Sequence, residues 1–140
     1  LLKLYPDYLV AHYNLGMVYE QLGRYDEAIA AYEQAKRIDP LNPFTVFLLC
    51  RVYAVIGNRK QVERLFPELI RQAKNGELDP ERIGLIYAAL GDKDQAFEWL
   101  EKANQGHSDN LLLLKVDPKY DSLRADPRFE DLLRRLKLAQ

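Results

Sequence analysis

Two histidines, His12 and His107, and one cysteine, Cys50, are the residues of this 140-residue chain whose chemistry best suits metal ligation or nucleophilic attack. Zinc asks for three or four such ligands at short spacing, and no His pair has it. A lone cysteine also excludes an intrachain disulfide and a cysteine-based zinc cluster. Ser108-Asp109-Asn110 has the make-up of a tripeptide that assists a serine nucleophile, but no Ser-x-x-Lys accompanies it. There is no glycine-rich phosphate loop. Glu98 and Glu101 are spaced as neighbours on one helix face, where carboxylates form a solvated surface more readily than an acid/base pair. Lys and Arg total 20 against 21 Asp and Glu, a net charge of -1, which leaves no basic footprint for nucleic acid or anionic lipid. Apolar runs such as residues 111–114 are far too short to span a bilayer. The expectation is therefore of no catalytic residue, no metal, no cofactor, no nucleic acid and no membrane insertion.

What positions these residues is an internal period of 34. It links Tyr19, Tyr53 and Tyr87, and likewise Gly23, Gly57 and Gly91. The same shift carries Leu15 to Leu49 to Ile83, Gly16 to Cys50 to Gly84, and Ala28 to Val62 to Ala96. It also carries Tyr32 to Phe66 to Leu100 and Ala35 to Leu69 to Ala103. Within a copy, Tyr25, Ala28, Ile29, Tyr32, Ala35 and Ile38 recur at three- and four-residue steps, the stripe of an amphipathic helix. Each copy thus reads as two short helices around a glycine, with Gly23 placed to close the first in a left-handed conformation. The small residues Gly16, Cys50 and Gly84 mark where two helices cross too closely for a large side chain. Cys50 is accordingly expected to be a buried, inert thiol.

The stretch Tyr13-Asn14-Leu15-Gly16-Met17-Val18-Tyr19, Gly23-Arg24-Tyr25-Asp26-Glu27-Ala28, Tyr32, Ala35 and Asp39-Pro40 resembles the tetratricopeptide repeat (TPR) family. His12 stands where that family usually has Trp, so a packing role is expected for it. The resemblance covers residues 1 to about 106 and implies an all-α fold: a right-handed superhelical solenoid of helix–turn–helix repeats with a C-terminal helical cap. The boundaries expected are one TPR domain over 1–140. Residues 1–8 end a preceding repeat, 9–42, 43–76 and 77–110 are three repeats, and 111–140 are the cap.

The later copies depart from the pattern in ways that predict local structure. Asp79-Pro80 starts the third repeat's first helix late, since Asp caps and Pro suits the first turn. The preceding helix then runs to about Asn75 and ends at Gly76, with a kink or break near residues 64–66 because Pro67 removes a backbone donor. Asp117-Pro118 and Asp126-Pro127 announce two more starts. The last opens a helix with Phe129, Leu132, Leu133, Leu136 and Leu138 on its apolar side. This segment resembles the closing piece of TPR regions in bacterial signalling and regulatory proteins, often joined to kinases, cyclases or winged-helix regulators. A solenoid's last repeat has no neighbour, so residues 111–114, Val116, Tyr120, Leu123, Phe129, Leu132, Leu133 and Leu136 are expected to cover Phe97, Trp99 and Leu100.

The resemblance places the first helix of each pair on the concave side. Partner-binding residues are then expected at Val10, Tyr13 and Met17, with Glu20 and Gln21; at Phe44, Phe47 and Arg51, with Val55; and at Leu85, with Ala89. They imply an apolar, aromatic groove for an amphipathic helix or extended apolar peptide, with Arg51 available to a carboxylate. Core packing is the competing reading for Phe44 and Phe47. Tyr13 and Met17 stand where chaperone-binding members carry Lys and Asn, and Arg82 alone fits that carboxylate clamp, so that ligand is rejected. The function expected is a protein–protein interaction module, not an enzyme, within a larger bacterial regulatory protein. The alternative is a self-assembly element, with a weak homo-oligomer formed through the N-terminal end.

Overall fold

Each 34-residue copy divides into two helices because its glycine leaves the right-handed region. Gly23, Gly57 and Gly91 have φ of 72°, 78° and 82°, a conformation that a side chain penalises and glycine does not. The turn this allows closes on itself. Arg24, Asn58 and Asp92 donate their N–H groups to the carbonyls of Tyr19 (2.9 Å), Tyr53 (2.9 Å) and Tyr87 (3.0 Å), satisfying acceptors that a helix end otherwise leaves open. The next helix starts at once, since Asn58 accepts from the Gln61 N–H and Asp92 from the Gln95 N–H.

The computed structural model describes residues 8–137. Along them run α1 (Leu9–Gln21), α2 (Tyr25–Ile38), α3 (Pro43–Val55), α4 (Arg59–Lys74), α5 (Pro80–Leu90) and α6 (Lys93–Gln105). Two 3-10 helices, η1 (Asp109–Leu113) and η2 (Pro118–Leu123), and α7 (Pro127–Arg135) follow. The class is all-α, with no strand among the described residues, in consecutive helix–turn–helix pairs. The expected helix end at residues 1–5, and Leu138, lie outside the described residues. Asp79, Asp117 and Asp126 each cap as the Asp-Pro pairs predict, accepting from the N–H groups of Glu81, Lys119 and Arg128 at 2.9 Å. Gly76, at φ 78°, lies just past α4. Of the kink or break expected near residues 64–66, the break does not occur, since α4 is continuous through Pro67. Pro67 and Glu63, whose carbonyl loses its donor, are both exposed, so water can take the place of the missing bond.

The helices of a pair meet where a side chain is absent. A Cβ on Gly16 would stand 2.3 Å from Cε1 of Tyr32, and one on Gly84 would stand 3.2 Å from the Ala96 carbonyl and 3.3 Å from Leu100. Tyr32 and Leu100 are one column of the period, so the same crossing is built twice. Cys50 holds this position in the second copy and is wholly buried. Burial pushes its thiol up to about 12, which removes it as a nucleophile at neutral pH.

The chain forms two compact units, the first ending at Leu69 and the second beginning at Ile70, inside α4. In the second unit the segment after residue 110 folds onto the third repeat, with η1 against α6 and η2 against α5. Leu111, Leu114, Tyr120, Leu123, Phe129 and Leu132 are buried. Leu112 and Val116 are not, at 65% and 70% exposed, nor is Leu113. A 3-10 helix has three residues per turn, so positions i and i+3 share a side. Leu111 with Leu114 face in, and the leucines between them face out. The expectation that this whole apolar set is covered is corrected to that extent. Arg128 lies 4.6 Å over the Phe97 ring and Arg135 pairs with Glu101 of α6, so charged stems join the apolar contacts here.

Two stability outcomes follow. Gly16→Ala should lower the unfolding free energy by ~1–3 kcal/mol, because the buried Tyr32 ring has no room to retreat. Phe129→Ala should cost ~3–5 kcal/mol, while Leu112→Ser stays within ~0.5 kcal/mol. Urea denaturation of each variant measures all three, and equal losses at Phe129 and Leu112 would contradict the inward and outward sorting.

Candidate functional site

Val10, Tyr13 and Met17 fall on one face of α1 at i, i+3 and i+7, and Phe44, Phe47 and Arg51 repeat that spacing on α3. The structure brings the aromatic members together. The Tyr13 and Phe44 rings meet edge to face with centroids 5.2 Å apart, and Phe44 lies 6.1 Å from Phe47 at a tilt of 32°. Such pairs add to plain area burial. Val10, Tyr13, Met17 and Phe44 are half-buried, so each keeps part of its surface for another molecule.

Three expected members do not stand at the surface as expected. Phe47 is 1% exposed. On α3, Thr45 to Cys50 and Val52 to Ala54 are all buried, so the helix is enclosed nearly all round and Phe47 supports Phe44 from behind. Leu85, on α5 in the second unit, is 2% exposed and belongs to the core. Arg51 is not open to a ligand's carboxylate because it already has one. Its guanidinium pairs with Glu20 of α1, the two side chains being 11% and 12% exposed. Glu20 also accepts the Tyr32 hydroxyl at 2.9 Å. Burial pushes that hydroxyl well above the usual tyrosine range, so it stays a donor at neutral pH. The charge expected in the groove is thus spent inside the fold, where pairing is what makes a buried ion tolerable.

The third copies of the same columns are Leu78, Glu81 and Leu85, all buried. Glu81 escaped the sequence reading. The signal was its place one period after Phe47, an acid where the earlier copies have aromatic rings.

Of the residues with catalytic chemistry, Ser108 and Asn110 have a structural part. Ser108 and Asn110 both donate to Oδ2 of Asp79, the latter at 2.8 Å, so the tripeptide holds the cap of α5. His107 is exposed and takes the left-handed position after α6 at φ 56°. His12 is half-buried on α1. Glu98 faces Lys102 at 4.0 Å on the open side of α6. Trp99 is buried, with the Lys102 ammonium 4.1 Å over its ring. Among the described residues, no three His, Cys, Asp or Glu side chains are grouped to hold a metal ion. None of the described helices is long and apolar enough to cross a membrane.

Comparison with known proteins bears on the same segments. A family model described as tetratricopeptide repeat matches residues 10–42, and a second of that description matches residues 81–105. Human protein O-mannosyl-transferase TMTC1 is 30% identical over 106 residues, covering 75% of this chain. The chain spans only 11% of that relative's length. No solved structure matches it significantly. The two repeat matches bracket α3 and α4, which carry the middle copy of the same columns, and the chain belongs to the tetratricopeptide repeat family.

Proposed function

We propose that this chain binds a peptide or partner protein through the face that α1 and α3 share, as the working surface of a protein–protein interaction module. The repeats indicate the module. The observation that supports this face is the half-buried aromatic pair of Tyr13 and Phe44, flanked by Val10 and Met17. Interfaces draw their energy from rings of this kind, which lose little entropy when covered. With Arg51 neutralised by Glu20, the ligand that suits the face is apolar and uncharged where it meets the rings, an amphipathic helix or an extended apolar strand. No catalytic role belongs to this reading, and the transferase in the relative's name stays with that relative. The bacterial regulatory setting expected from the closing segment is part of the same proposal; the human relative does not speak for it.

A second reading, self-association, draws on Val18 of α1 and Leu22 just past its end, which are 52% and 62% exposed. Concentration-dependent light scattering separates it from ligand binding.

The test is affinity for peptides selected on the chain from a random-sequence library. Tyr13→Ala should weaken binding by ~1–3 kcal/mol with an unchanged circular dichroism spectrum. Unchanged affinity would remove Tyr13 from the site, and loss of the helical spectrum would assign it to the core.

A further inference from the structure

Glu81 lies in the first turn of α5, a position where a carboxylate normally enjoys both water and the helix dipole, yet it is 2% exposed. Its Oε1 accepts the hydroxyl of Tyr120, which η2 lays over it. Its Oε2 is buried with no hydrogen-bond donor, and Nε of Arg82 stands 3.6 Å away, beyond hydrogen-bond range. The other charged groups around it are Asp79 at the cap of α5 and Asp117 at the cap of η2. Asp79 is held by Ser108 and Asn110, and Asp117 faces Lys119 at 3.9 Å. An ionised carboxylate here has one oxygen satisfied, one stranded and two like charges nearby, a costly arrangement in a buried site. The Tyr120 hydroxyl bonds Glu81, with the charge of Asp117 also nearby, and nothing in the ligand-binding reading uses the pair.

The position of Glu81 gives the contact its meaning. It continues the column of Tyr13 and Phe47, so within the second unit η2 closes over a carboxyl where the earlier copies carry rings. We propose that η2 is a pH-sensitive strap within the second unit: it seals the first turn of α5 and lifts when Glu81 loses its proton. The inference does not rest on the binding role of α1 and α3, and the lifting can be seen without any ligand.

Burial is the main cause that pushes the Glu81 carboxyl up, with the Tyr120 bond and Arg82 pulling against it. A folded value raised above the ordinary 4.5 fixes the sign. The stabilisation is fully present below 4.5 and is lost as pH rises through the folded value. Burial, then the nearby Glu81 charge, drives the Tyr120 hydroxyl far above its usual range, so it remains a donor throughout. Acid closes the strap, and neutral pH loosens it.

The test is amide hydrogen exchange of η2 in the full chain, wild type against Glu81→Gln, compared at pH 4 and at pH 7 so that intrinsic exchange cancels within each pair. The neutral amide keeps an acceptor for Tyr120 and cannot ionise. The ratio of wild-type to variant exchange should rise between pH 4 and pH 7, by about tenfold for each unit that the folded carboxyl is raised. Anilinonaphthalene sulfonate, a dye that lights up on apolar surface, should bind wild type more than the variant at pH 7 and equally at pH 4. Tyr120→Phe removes the bond that favours the ionised form, so its loosening should move to higher pH. A ratio that is the same at both pH values, or slower exchange in wild type at pH 7, overturns the strap. Failure of the Tyr13→Ala test would leave this latch untouched, so the two failures are distinguishable.

Discussion

Gly16 against Tyr32, and Gly84 against Leu100 and the Ala96 carbonyl, set how near the two helices of a repeat can come, and most of the structure depends on that approach. A larger residue at either glycine would push the pair apart. The tyrosine hydroxyl would then lose Glu20, and Glu20 would lose its place beside Arg51. The left-handed glycines act with the crossing, since a short closed turn keeps the second helix from swinging away. Local backbone chemistry thus decides where each helix ends, and side-chain absence decides how the two meet. The apolar columns then fill the space that these two constraints define, which is how interiors reach their density.

Much of this was legible in the residues because backbone rules act at fixed spacing. The glycine column, the small-residue column and the three Asp-Pro starts each name a local requirement, and each appears where the spacing puts it. What was not legible needed distances between elements. Helical spacing shows that Phe47 shares a face with Phe44, but not that α3 is enclosed on nearly every side. The Glu20–Arg51 pair has a separation of 31 residues, one turn short of the period, a signal open to misreading because each residue alone also suits a groove. The leucines after residue 110 were counted as one apolar run, and only the 3-10 geometry sorts them into inward and outward sets. A break at Pro67 did not follow for a simpler reason: a proline on the water side of a helix frees a carbonyl that water can reach.

The same distances change what the candidate face can hold. A free guanidinium would have favoured an acidic or carboxyl-terminal ligand, whereas a guanidinium paired with Glu20 leaves rings and aliphatic surface as the means of recognition. Charge returns in the third copy of the columns, as Glu81, where it is buried under Tyr120 instead of offered to a ligand. One periodic pattern therefore carries two uses: half-buried or buried rings in the first unit, and a covered carboxyl in the second. Each use is written in the residue that fills a single column, Tyr13, Phe47 or Glu81.

The claim at the centre of this account is that the half-buried rings of α1 and α3 form the binding face. The most direct measurement is amide and methyl chemical-shift mapping by nuclear magnetic resonance as a library-selected peptide is added to the isotope-labelled chain. The account predicts that the largest shifts gather at Val10, Tyr13, Met17 and Phe44, with Arg51 and Glu20 nearly still because their pairing is internal. Shifts centred on the outward leucines of η1, or on the exposed side of α2, with α1 and α3 unmoved, would contradict it.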